Sequence, residues 1–158
     1  MGFFSWECPV CDHSIRYHGA CDEHSSWLNE AVFVDPEGNE AYGSYDGYGR
    51  LEAPSGLVFD TQDVPEGKGT FYHDACFRIA GSPKYNPFVK SRSASDQGYF
   101  VGDYDPTEPK TVEDCQALKQ AARERVEREQ EAARISNHNY KMELIAKGEP
   151  IPYWLEKY

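Results

Sequence analysis

Two pairs of residues have the type and spacing to hold a metal ion. Cys8 and Cys11 form a Cys-x2-Cys pair around Pro9, a spacing that lets two thiolates grip one tetrahedral ion from a single tight turn. His73 and Cys76 form a His-x2-Cys pair where the strand-like run GTFYH passes into the helical run DACFRI. A ligand-bearing turn, then a β-hairpin, then two ligands in the first turn of a helix is the layout of a treble-clef zinc finger. The separation, residues 12–72, exceeds what such a finger needs, so the hairpin and its loops read as an insertion between the two halves. Cys21 and His24 compete with the later pair, because they offer Cys-x2-His spacing soon after Cys11. The residues leave both sets open, along with two sites or none.

Four protein ligands leave a zinc ion no position at which to activate water, so either set points to structural Zn2+. A catalytic ion has three ligands and a general base nearby. Glu7 and Asp74 flank the ligands, but acids are frequent in this chain and commonly orient ligands or face solvent. No Ser-His-Asp set, Cys-His nucleophile motif or phosphate-cradling glycine loop is present.

The second unusual stretch is YGSYDGYGR, residues 42–50. Tyr45, Asp46, Tyr48 and Arg50 combine flat amphipathic rings with two charges, as contact surfaces do. The same residues also read as a tyrosine-rich turn with Asp46-Gly47 at the reversal and Arg50 paired locally. Asp96 and Gln97, in ASDQGYF, form a parallel case, either fixing their own loop or facing a partner. An enzymatic rival, a small hydrolase using Asp46 and Arg50 in a tyrosine-lined pocket, requires those groups to converge in a cleft.

These residues need elements to position them. The apolar run AVFV, the turn DPEGN and the return EAYGSY predict a hairpin, with Ala41, Gly43 and Tyr45 on one face. GLVFD and GTFYH are further strand candidates, and Tyr99–Val101 a short one. DACFRIAG reads as a short helix stopped by Gly81, while 12–30 reads as irregular loop. From Thr111, an N-cap with Asp114 three residues on, no Gly or Pro interrupts until Gly148, so one long helix is expected. Its apolar stripe (Val112, Cys115, Leu118, Ala122, Val126) thins between 127 and 134, which predicts an exposed middle. The tail IPYWLEKY regains Ile151, Tyr153, Trp154 and Leu155, which are expected to dock. The fold expected is α+β: a treble-clef-like module with a small antiparallel sheet over 1–105, then linker, long helix and aromatic tail over 106–158.

Bulk properties narrow the function. The 158 residues carry a net charge of -11, with 18 acids and 8 bases up to residue 110 but seven of each between 111 and 147. That acidity repels phosphate backbones, which makes nucleic acid an unlikely partner and leaves a basic protein partner or mimicry of nucleic-acid charge. At 39% hydrophobic residues and a mean hydropathy of -0.74 the core is modest, so a metal cross-link helps offset chain entropy. Five cysteines, an odd number, without an export signal favour thiolates on metal over disulfides. No apolar run reaches the roughly 18 residues of a membrane span, and Trp6 replaces the Ser or Thr of a myristoylation motif, so a cytoplasmic location is expected.

MGFFSWECPVC, YDGYGR, FYHDAC and SDQGYF, in that order, resemble a group of small uncharacterised proteins of bacteriophages and some bacteria. The resemblance covers residues 1 to 102. It implies Cys8, Cys11, His73 and Cys76 as the ligand set, since they lie inside the recurring motifs and Cys21 and His24 do not. It implies no activity. It does imply an accessory role inside an infected bacterium, through a host or phage protein. The 111–147 helix lies outside the resemblance and is expected to offer a second surface, for self-association or for a partner.

Overall fold

Asp35 makes the reversal that organises the sheet. Its N–H donates to the Asn39 carbonyl (3.0 Å), and its carboxylate accepts from the Asn39 backbone (2.8 Å) and side-chain (3.0 Å) amides. Gly38, at φ +88°, supplies the left-handed residue that this turn requires. The computed structural model describes residues 4–63, 68–87, 91–93 and 106–158. Among them, in order, are β1 (Phe4–Trp6), β2 (Glu30–Val34), β3 (Glu40–Tyr45), β4 (Arg50–Glu52), β5 (Val58–Asp60), β6 (Thr70–His73), α1 (Asp74–Ile79), β7 (Ser91–Ser93) and α2 (Val112–Lys147). The fold is α+β, with a small antiparallel sheet and one long C-terminal helix.

Five strands form the main sheet in the order β5-β4-β3-β2-β6, each pair antiparallel, while β1 pairs separately with β7. The 35–39 turn sets the β2–β3 register, Val34 opposite Glu40 and Ala31 opposite Gly43. In β3, Gly43 and Tyr45 are buried while Tyr42 and Ser44 are exposed, the alternation expected for a strand with one covered face. A Cβ on Gly43 would lie 2.6 Å from the Glu52 backbone, so only glycine lets β4 approach. The buried face carries an aromatic cluster. Trp6 stacks on Phe71 (4.5 Å between centroids), and Phe33 and Tyr45 meet the same ring edge-on at 5.1 and 5.6 Å.

The chain divides into two compact units, Met1–Gln120 and Ala121–Tyr158. In the first, α2 starts from a reciprocal cap. The Asp114 N–H donates to Thr111 Oγ1 (3.1 Å), and the Asp114 carboxylate accepts from the backbone N–H groups of Lys110 (2.8 Å) and Thr111 (3.2 Å). In the second, residues 127–134 are exposed, as the thinning stripe predicted. Gly148, at φ +71°, ends the helix, and the Glu149 N–H returns to the Leu144 carbonyl (3.0 Å). The tail then folds back, with Lys141 Nζ donating to the carbonyls of Glu156 (2.8 Å) and Tyr158 (2.9 Å). Only part of the expected tail docking occurs: Leu155 is fully buried, whereas Tyr153 is 86% exposed. Among the described residues, no helix is long and apolar enough to cross a membrane. The strand expected at Tyr99–Val101 lies outside the described residues.

Candidate metal centre

Two local structures deliver four donor atoms to one point. The first is the turn at Cys8–Asp12, closed by the Cys8 N–H on the His13 carbonyl (2.9 Å) and the Asp12 N–H on the Cys8 carbonyl (2.8 Å). Asp12 adopts φ +60°, which Asp tolerates better than most residues, and the chain then returns beside its entry through the Glu7–Ser14 bridge. The second is the β6–α1 junction. His73 ends β6 opposite Ala31 of β2 and is the N-cap of α1, so Cys76 falls in the first helical turn.

The Sγ atoms of Cys8, Cys11 and Cys76 and a ring nitrogen of His73 all lie within 4.8 Å of one another. All four residues are 0% exposed. Cys11 Sγ is 3.4 Å from His73 Nδ1, while His73 Nε2–H donates to the Ser14 carbonyl (3.0 Å). That second bond fixes the ring and its tautomer, leaving the Nδ1 lone pair aimed at the cluster. Trp27 covers the imidazole edge-on at 4.8 Å. These four residues are therefore positioned to bind a metal ion.

The electrostatics of the site fit that role. Burial pushes the Cys8 thiol up, but hydrogen bonds from Cys11, Cys76 and His73 outweigh it and hold Cys8 well below its ordinary value. Cys11 is pushed up, chiefly by burial, and Cys76 by its hydrogen bonds to Cys11 and Cys8 together with burial. A divalent cation bound among three buried thiols would ionise them. His13 lies beside them, its Nδ1 2.8 Å from the Cys11 carbonyl, and burial lowers its pKa to about 4, so it is neutral at pH 7.

The competing pair is placed elsewhere. Cys21 Sγ faces the Tyr17 carbonyl at 3.7 Å, and His24 Nε2 meets Thr107 Oγ1 at 3.0 Å. Among the described residues, neither belongs to the group that converges on the metal position.

The tyrosine-rich stretch is divided between core and surface. Tyr45 is 1% exposed and belongs to the aromatic core, because the β3 register that buries Gly43 also turns Tyr45 inward, opposite Leu51. Asp46 Oδ1 accepts from the backbone N–H groups of Tyr48 (2.7 Å) and Arg50 (3.0 Å), and Gly47 and Gly49 supply φ +89° on either side of Tyr48. Arg50 pairs with Asp60 of β5 at 3.2 Å, its side chain 56% exposed. Asp46 thus caps its own turn, and Arg50 pairs with the strand beside it. Tyr48 is 38% exposed. Asp96 and Gln97 lie outside the described residues.

Ser14 and Trp27, which orient and cover His73, escaped the sequence reading. A backbone carbonyl has no residue signature, and Trp27 lies in a stretch without periodicity. The chain matches no protein-family model, and comparison with curated proteins and with solved structures likewise finds no match.

Proposed function

We propose that the chain is a non-enzymatic binding protein whose first unit is stabilised by a structural Zn2+ on Cys8, Cys11, His73 and Cys76, in a treble-clef-like arrangement. The observation that carries this reading is the convergence of four donors from two distant segments within 4.8 Å, every one fully buried. Three thiolates and one imidazole suit zinc among the common divalent ions, and four protein ligands complete its tetrahedral shell. A metal-binding turn, an antiparallel sheet and a helix opening on the last ligand support the treble-clef comparison.

The binding half of the proposal rests on composition and on the resemblance of four motifs to those of small phage and bacterial proteins. The partner is a host or phage protein met in the bacterial cytoplasm, and the acidic first unit disfavours nucleic acid. Tyr48 and Arg50 remain the accessible anchors of the nominated surface. Exposed Val126, Ile135, Met142 and Ile145 of α2 offer apolar groups for self-association. Metal content, measured by mass spectrometry on protein purified without added metal, tests the centre. About one zinc per chain is expected in the wild type and in Cys21→Ser, and none in Cys76→Ser. A wild type without zinc, or loss of zinc only in Cys21→Ser, overturns the proposal.

A further inference from the structure

Residues 106–120 touch each part of the metal centre in turn. Trp27, whose ring covers His73, donates its Nε1–H to the Pro106 carbonyl (2.9 Å). Cys115, 3% exposed, packs in the same buried cluster as Cys8, Cys11 and Cys76. One turn further along α2, Lys119 Nζ donates to the Pro9 carbonyl within the metal-binding turn (2.9 Å) and lies 3.9 Å from the Asp12 carboxylate. The three contacts reach the imidazole ligand through its cover, the thiol cluster directly, and the Cys-x2-Cys turn.

We propose that this segment is a clasp on the metal centre, with Lys119 and Cys115 as positioning residues that hold the Cys8–Cys11 turn and the Cys76 environment in their ligating geometry. The inference rests on the zinc reading above. A centre of three thiolates, one neutral imidazole and one Zn2+ carries a net charge of -1. The Lys119 ammonium offsets part of that charge while fixing a carbonyl between the two ligands of the turn. Cys115 adds a buried, polarizable thiol on the Cys76 side, where a charged residue would need a partner and an apolar one would lack an S–H donor. Linkage is reciprocal: a clasp that tightens binding of the ion is itself held in place by the ion.

Zinc release from the zinc-loaded full chain to a colorimetric chelator, together with amide exchange by mass spectrometry, tests this. Lys119→Met keeps the stem and removes the donor and its charge. It is expected to retain one zinc per chain, release it about fivefold faster, and exchange faster over residues 116–120, with β2 and β3 unchanged. Lys119→Arg is expected to restore most of the slow release. Cys115→Ser, with a hydroxyl in place of the thiol, is expected to accelerate release in the same direction. Unchanged release and exchange in Lys119→Met with full zinc content overturns the clasp alone, whereas a wild type that holds no zinc overturns both the clasp and the centre.

Discussion

Stability of the first unit is expected to rise with free zinc along a slope that counts ions. If the folded chain binds one Zn2+ and the unfolded chain binds it weakly, stability grows by RT ln(1 + [Zn]/Kd), about 1.4 kcal/mol for each tenfold rise above Kd. At a thousandfold excess over Kd the gain is about 4 kcal/mol. For a cooperative unit near 100 residues, each kcal/mol moves the melting temperature by about 4–8 °C, so three decades of free zinc are expected to raise it by about 15–30 °C. The structure sets this scale because all four ligands are fully buried and drawn from segments that share no other covalent tie. The assay is thermal unfolding by circular dichroism in metal-buffered solutions spanning those decades. A melting temperature independent of free zinc refutes the reasoning, and a slope twice as steep shows a second ion that the centre does not account for.

Two further outcomes follow from the sheet. Gly43→Ala places a methyl group 2.6 Å from the Glu52 backbone, so β4 must shift, and an equilibrium denaturation loss of about 1–3 kcal/mol is expected. Asp46→Ala removes the acceptor for the N–H groups of Tyr48 and Arg50 at the exposed β3–β4 turn, and a loss of about 1 kcal/mol in the same experiment is expected, with zinc content unchanged.

Much of this was legible where chemistry is local. The DPEGN turn, the Thr111–Asp114 cap and the Gly148 stop are each specified by residues within one turn of chain, and each forms as read. The donor pairs were legible for the same reason, since Cys-x2-Cys and His-x2-Cys are short-range patterns. Choosing His73 and Cys76 over Cys21 and His24 required tertiary structure, because only the β2–β6 pairing brings His73 to the early turn. β1, β4 and β7 were missed because three residues are too few to show alternation, and the β1–β7 pairing joins distant parts of the chain. Tyr45 was misplaced for an instructive reason. Composition around it resembles a contact surface, but its strand parity with Ala41 and Gly43 assigns it inward, and parity outweighs composition in a strand covered on one face.

The span between Cys11 and His73 also bears on how this chain can vary. Those ligands are 62 residues apart, and bringing them together on one ion makes an unfavourable loop-closure contribution to folding. Because that contribution changes only with the logarithm of loop length, doubling the enclosed chain alters it by about 0.6 kcal/mol. The connection from β5 to β6 can therefore lengthen or shorten between homologous forms at little thermodynamic cost. β2 and β6 have no such latitude: a one-residue slip in their pairing would turn His73 to the opposite face of the sheet and leave three thiols without their fourth ligand.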